Sequence, residues 1–163
     1  MAATRSKKTT PSRKKPARRA GFTAGRIPKG GANRPQNDIR GMIAMARRAR
    51  DFAFAPFSRF KVGAAIRTRD GRIFTGCNVE NASFGLTFCA EITMIGRMRM
   101  EGVSPLVAVA ASDQFDRQLT PCGRCRQIMM EHGGPDLLVD GPSGPRPLHE
   151  LLPEWFGPEK LPT

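Results

Sequence analysis

Two cysteine motifs place the strongest constraint on how this chain can fold. The first is Cys89-Ala90-Glu91, and the second is Pro121-Cys122-Gly123-Arg124-Cys125. Each motif stands at the predicted start of a helix, where the positive end of the helix dipole favours a thiolate. The chain therefore has the means to collect three thiolates at one point, provided that its fold brings the two helix starts together.

Three thiolates and a nearby carboxylate narrow the chemistry of such a cluster. Alone, Cys-x-x-Cys is compatible with a redox pair or with half of a structural zinc site. Three thiolates leave one tetrahedral position of zinc open for water, as in catalytic sites, whereas a structural site needs a fourth protein ligand. Cys77 is the only other cysteine, and it adjoins a different motif. A cysteine, a non-ligating glutamate two residues later and a Pro-Cys-x-x-Cys form the signature of zinc deaminases. We favour a catalytic zinc site.

The hydrophobic pattern predicts strands interleaved with helices. Three helices are expected to begin near Asp38, Cys89 and Cys122, the first with Asn37 or Asp38 as its N-cap and Pro56 as its stop. Four strands are expected at residues 61–68, 72–79, 106–111 and 136–140, with a hairpin turn at Asp70-Gly71, a Gly/Pro loop over 141–147 and a last helical turn over 149–152. Such a chain is typical of one α/β/α domain with a mixed sheet between helix layers.

Charge divides the chain near residue 40. Residues 1–40 hold 12 Lys and Arg and one acidic residue, a net charge of +11, whereas the remainder carries +2. Because residues 1–37 contain few large apolar side chains, we expect a disordered basic tail before a folded domain over 38–163. A solvated tail is the simplest interpretation. The alternatives are a weak, non-specific nucleic-acid contact and an organelle transit peptide.

The composition also bears on the compartment. No apolar run approaches the ~18 residues that a membrane span needs. The basic N-terminus lacks the apolar stretch of a secretory signal, and four cysteines are too few for a disulfide scaffold. We therefore expect a soluble, cytoplasmic protein without a membrane partner.

Several collinear motifs carry a family resemblance. Residues 54–157 resemble the small, three-cysteine cytidine deaminases through Phe54-Ala-Pro-Phe-Ser-Arg-Phe-Lys-Val-Gly-Ala-Ala65, Gly76-Cys-Asn-Val-Glu-Asn-Ala82, the two cysteine motifs and Leu151-Leu-Pro-Glu-Trp-Phe-Gly157. The resemblance implies a three-layer α/β/α sandwich with a mixed, mostly five-stranded sheet. It also implies hydrolytic deamination of cytidine and deoxycytidine in pyrimidine salvage, with release of ammonia, by a homotetramer whose neighbouring subunits complete each site.

The same resemblance assigns roles to single residues. Cys89, Cys122 and Cys125 would hold one zinc per chain, and Glu91 would shuttle the proton. The expected substrate-binding residues are Phe60 on the pyrimidine, Asn78 and Glu80 on the ribose 3′-hydroxyl, the backbone N–H of Ala90 beside the reacting oxygen, and Phe84 and Phe156 as candidates to reach across a subunit boundary.

The sequence departs from the family pattern in two ways. Phenylalanines stand at positions 54, 57 and 84, where the family often has tyrosine. Ile92 follows Glu91 where many members carry an arginine that offsets thiolate charge, so the helix ends, Arg124 or Arg126 must do so here. Ile92 and Pro-Cys-Gly-Arg-Cys-Arg-Gln also suit a blasticidin-type aminonucleoside deaminase, which is the second hypothesis. The third is a nucleic-acid-associated protein that acts through its tail.

Overall fold

A five-stranded mixed sheet forms the middle layer of the protein in a computed structural model, which describes Ile39 and residues 41–102 and 105–162. The strands lie in the order β2-β1-β3-β4-β5, and β3 and β4 are parallel whereas the other neighbours are antiparallel. Their bounds are β1 Val62–Thr68, β2 Ile73–Cys77, β3 Leu106–Asp113, β4 Leu138–Gly141 and β5 Gly144–Pro147. The helices are α1 Met42–Arg50, α2 Ala90–Met100, α3 Gly123–Gly133 and α4 Leu148–Leu151, with 3₁₀ turns at Phe84–Leu86 and Pro158–Lys160.

Helix α1 covers one face of the sheet, and its backbone lies very close to that of β1. Its buried Met42 and Ala46 pack on small side chains of β1 and β3. A Cβ atom added at Gly63 of β1 would lie only 2.0 Å from the carbonyl oxygen of Ala46. Position 63 therefore accepts only glycine while α1 keeps this place.

Helices α2 and α3 cover the opposite face and complete the three layers. Methionines on both helices are fully buried against β1 and β3, and they form the larger core. A Cβ atom at Gly76 of β2 would lie 2.6 Å from the carbonyl oxygen of Ala90, so the first turn of α2 lies directly on β2. This contact fixes the position of the start of α2, with Cys89 and Glu91, relative to the sheet.

The predicted α/β/α fold class and most of the predicted helices and strands are confirmed. The first helix, however, begins at Met42 with Gly41 as its N-cap at φ 84° and ends at Arg50. The predictions of an Asn37 or Asp38 cap and of a stop at Pro56 are therefore wrong. The loop predicted over 141–147 contains β5 instead, an edge strand that tolerates two prolines because one side of it needs no donors. The predicted tail lies outside the described residues. Within the part of the chain that the structure describes, no helix is long and apolar enough to cross a membrane.

Asp113, at the end of β3, stabilises the loop that follows. Its fully buried carboxylate accepts the backbone N–H groups of Phe115 and Arg117 at 2.9 and 3.0 Å and the Arg117 guanidinium at 2.7 Å. Burial alone would raise the pKa of this carboxyl, but the hydrogen bonds from Arg117 and Phe115 outweigh burial and hold it below its ordinary value of 3.8. The folded state thus prefers the charged form.

We expect Asp113→Asn to lower the free energy of unfolding at neutral pH by about 1–3 kcal/mol, because an amide cannot satisfy all three donors. Since the folded pKa is depressed, the contribution of Asp113 is complete above pH ~4 and is lost as the pH falls through the folded pKa. Urea unfolding at pH 7 and pH 3 measures both effects, with the exposed Asp136→Asn as the control. An equal loss of stability at both pH values would contradict this account.

Candidate metal centre and active site

Two helix starts bring three thiols together. Cys89 is the N-cap of α2, and Cys122 is the N-cap of α3, both in extended backbone conformation. Cys125 follows on the first turn of α3 and is buried. The Sγ atoms of Cys122 and Cys125 are 3.6 Å apart, those of Cys89 and Cys122 are 3.9 Å apart, and all three lie within 4.8 Å of one another.

This donor set fits one zinc ion per chain. Three sulfur donors at such separations suit a tetrahedral zinc, and they leave one of its positions without a protein ligand. Cys77 lies on β2 and is not a member of the cluster, which is the only group of potential metal ligands among the described residues. The spacing therefore agrees with a catalytic zinc site and not with a structural site of four ligands.

Glu91 lies beside the thiols on the first turn of α2. Its side chain is 5% exposed, and its Oε2 accepts a hydrogen bond from the Cys125 thiol at 3.4 Å. Burial raises the pKa of this carboxyl above its ordinary value, and the hydrogen bonds to it only partly counter that effect. Because its pKa is raised, this buried carboxyl accepts a proton more readily than an exposed glutamate does, as a general base and acid requires.

The groups that favour the thiolate of Cys89 lie on α3 and at its N-cap. Hydrogen bonding from Cys125 lowers the pKa of Cys89 to about 6, and attraction by Arg124 contributes to the shift. The Arg124 guanidinium donates to the carbonyl oxygen of Thr87, close to Cys89 along the chain. Arg126 instead donates to backbone carbonyls of two other segments. Of the two arginines considered in place of the missing guanidinium at Ile92, Arg124 is the one whose positive charge lowers the pKa of Cys89.

Asn78 and Glu80 are both buried, at 8% and 7% exposure, and both hold residues 57–62. The Asn78 Oδ1 accepts the Val62 N–H at 2.8 Å, and its Nδ2 donates to the Phe60 carbonyl oxygen at 2.9 Å. The side chains of Asn78 and Glu80 thus both face residues 57–62, as expected for two residues that are two positions apart in an extended segment.

The carboxylate of Glu80 binds the turn that precedes Phe60. It accepts the backbone N–H groups of Phe57 and Ser58 at 3.0 and 3.2 Å and the hydroxyl of Ser58. Hydrogen bonding by Ser58 lowers the pKa of Glu80 despite the opposing effect of burial. Ser58 was not among the predicted site residues. The only feature that could have pointed to it is that a buried carboxylate such as Glu80 needs hydrogen-bond donors.

Large apolar side chains remain exposed around this region. Phe84 is 67% exposed, and its ring packs edge-to-face on Phe57 at a centroid distance of 6.3 Å. Near it along the chain or on bridged segments, Phe54, Phe60, Val79, Leu86 and Phe88 are also exposed, and elsewhere in the described residues so are Phe52, Phe115 and Phe156. Among the expected site residues, the structure gathers the thiols with Ala90 and Glu91, and it gathers Phe60 with Asn78 and Glu80.

A sequence model of the cytidine and deoxycytidylate deaminase zinc-binding region matches residues 36–139, which include all three thiols and Glu91. The chain belongs to this deaminase family. The matched region is the zinc-binding region of the family, and the three clustered thiols lie within it. One zinc ion per chain is therefore the cofactor of this deaminase.

Named relatives share nearly their full length with this deaminase. The cytidine deaminase of Mycobacterium tuberculosis is 48% identical over 128 residues, which are 78% of this chain and 96% of that protein. A probable cytidine deaminase of Dictyostelium discoideum is 41% identical over 130 residues, covering 77% and 88% of the two chains. The crystal structure of the M. tuberculosis cytidine deaminase superposes with a TM-score of 0.69 at 49% identity, covering 71% of this chain and 94% of that one.

Proposed function

We propose that this enzyme hydrolyses cytidine and deoxycytidine to uridine and deoxyuridine with release of ammonia. The observation that carries the proposal is the cluster of three thiols with the buried Glu91 carboxyl beside it, in a chain 48% identical to a cytidine deaminase over nearly the whole of that protein. The catalytic domain would extend over residues 38–163.

The mechanism assigns separate tasks to the thiols and to Glu91. Cys89, Cys122 and Cys125 would hold the zinc, which would supply the Lewis-acid chemistry that makes water a nucleophile near neutral pH. Glu91 accepts a proton from the attacking water and delivers it to the ring nitrogen N3. The water oxygen bonds to C4, and Glu91 then takes the second proton from the new hydroxyl and gives it to the amine, which leaves as ammonia when the C4–N bond breaks. One water is consumed, and one ammonia is released.

The remaining site residues would bind the nucleoside. Ala90 is the first residue of α2, and its N–H has no partner within the helix, so it is available to an oxygen at the reacting carbon. Phe60 would pack on the pyrimidine. Asn78 and Glu80 would reach the ribose 3′-hydroxyl with the hydrogen-bonding capacity that residues 57–62 leave unused, since a carboxylate offers about four acceptor positions.

We also propose a homotetramer that acts in pyrimidine salvage in the cytoplasm. The exposed side chains of Phe54, Val79 and Phe88, on neighbouring bridged segments, support an assembly, because an exposed apolar surface of this kind marks a protein contact. Phe84 and Phe156 would reach a neighbour's site. A reducing compartment suits the four free thiols. Light scattering coupled to size exclusion tests the assembly, and a monomer with full activity would refute it.

A panel of substrates tests the proposed function. The purified protein is assayed by ultraviolet absorbance on cytidine, deoxycytidine, CMP, single-stranded DNA and blasticidin S. We expect turnover of the two free nucleosides and none of the nucleic acid. Turnover of blasticidin S alone would identify an aminonucleoside deaminase instead, and activity on single-stranded DNA alone would shift the function to a nucleic acid substrate.

Deletion of residues 1–37 is expected to leave kcat within about twofold of the full chain, because every site residue lies in the remainder, which has a net charge of +2. The tail should nevertheless confer weak affinity for RNA or DNA that falls steeply with salt. Binding of a labelled oligonucleotide at two salt concentrations measures this affinity. Equal, salt-dependent binding by the truncated chain would show that the tail has no such role.

A further inference from the structure

The last part of the chain is fastened to the helix that carries two of the thiols. Arg126, directly after Cys125, donates through Nη1 to the carbonyl oxygen of Leu151 at 2.8 Å and through Nε to that of Pro121 at 2.7 Å. It therefore joins the segment before α3 to residues 151–156, which we name the C-terminal strap. Neither of these bonds involves a side chain of the strap.

Gln127 makes the second attachment, and it is directed at a single residue. Its Nε2 donates to the carbonyl oxygen of Phe156 at 2.5 Å, and its Oε1 accepts the N–H of the same residue at 3.4 Å. One amide thus fixes both backbone polar groups of Phe156, as a neighbouring β-strand would. The Phe156 ring itself stays 57% exposed.

Within the strap, one aromatic residue attaches it to the core and the next is exposed. Trp155 packs against the larger core, and Phe156 points its ring outward from a backbone that α3 holds in place. An exposed aromatic ring gains little stability for the fold by being held in this way. Because the two Gln127 bonds fix the Phe156 backbone, they set the direction in which the exposed ring leaves the strap, where it can contact a group outside the subunit's core.

We propose that Gln127 is a positioning residue that sets the Phe156 ring relative to the thiol-bearing start of α3, so that the ring can close the nucleoside site of this or a neighbouring subunit. The inference rests on the proposed function, because it assigns the ring to the nucleoside site. Because Arg126 and Gln127 lie one and two residues beyond Cys125, the strap and the metal ligands belong to one rigid unit. Loss of the Gln127 amide would free the Phe156 ring without removing any of the three cysteines.

The first variants test the amide itself. Gln127→Ala should raise KM for cytidine about tenfold, the scale of one or two lost hydrogen bonds, with kcat within about twofold and zinc content unchanged. Gln127→Glu keeps the size and the acceptor but sets a carboxylate oxygen against the Phe156 carbonyl, so it should raise KM at least as much. Glu131→Ala, an exposed change one turn further along α3, is the control.

The strap also contains the only tryptophan of the protein, Trp155, so its release has a readout that does not depend on activity. In Gln127→Ala, acrylamide should quench Trp155 emission more strongly than in wild type, whereas Glu131→Ala should match wild type. Phe156→Leu should raise KM without changing the quenching. Combined with Gln127→Ala, it should add little further to KM, because both changes remove the same ring contact.

Several results would overturn the inference. Unchanged quenching and unchanged KM in both Gln127 variants would show that the amide positions nothing. Loss of zinc in Gln127→Ala would place its effect on the metal helix, and a normal KM in Gln127→Glu would reduce its role to filling space. If the wild-type protein failed to deaminate cytidine, the proposed function would fall, whereas the quenching would still decide whether Gln127 holds the strap.

Discussion

Replacement of Glu91 by glutamine is expected to lower turnover of cytidine by about 10²-fold or more, the scale of general acid–base catalysis. The amide keeps the size of the side chain, but it can neither accept the proton of the attacking water nor return one to the leaving amine. Since Glu91 is not a member of the thiol cluster, the variant should fold and hold one zinc per chain. Assays of kcat with zinc analysis of the same sample measure both properties.

Glu101→Gln is the matched control for this experiment. Glu101 caps the other end of α2 and pairs with Arg97 at 3.1 Å, far along the helix from the thiols. It should retain the turnover of the wild type. Near-normal turnover in a zinc-loaded Glu91→Gln protein would show that another group moves the proton, and the role of Glu91 would have to be abandoned.

Replacement of Cys125 by serine should abolish zinc binding and reduce turnover to background. Cys125 is the buried member of the thiol cluster, and its Sγ contacts both Cys122 and Glu91. A neutral hydroxyl is a much weaker zinc donor than a thiolate, and two remaining thiolates do not complete the site. Elemental analysis after gel filtration gives the metal content, and circular dichroism shows whether the fold survives.

Cys77→Ser controls for the loss of a cysteine as such. Cys77 lies outside the cluster, and burial raises the pKa of its thiol, so it resists forming a thiolate. The Cys77 variant should keep one zinc and full turnover. A Cys125→Ser protein that kept both would place the metal elsewhere.

The motifs predicted the metal cluster because their chemistry depends on local features. A cysteine at a helix start has a fixed relation to the helix axis, so each motif predicts where its own thiols stand, and the packing of α2 and α3 on the sheet brings them together. The hairpin at Asp70-Gly71 and the alternation of elements likewise follow from neighbouring residues. These features are confirmed because each depends on a few consecutive side chains.

What the sequence analysis missed depends on distant partners. The prediction of a loop over residues 141–147 misses β5, because two prolines conceal an edge strand that pairs on one side only. The start of α1 depends on Gly41, whose left-handed backbone is not visible from periodicity. Gln127 and Phe156 are 29 positions apart, so no spacing rule joins them.

The most direct test of the account is a titration of the metal-free enzyme with zinc, followed by assays for uridine and ammonia formed from cytidine. We expect no turnover without metal and a linear recovery that ends at one zinc per chain, with one ammonia released for each uridine. Turnover by protein shown to contain no zinc, or full zinc occupancy without any release of ammonia, would contradict the account.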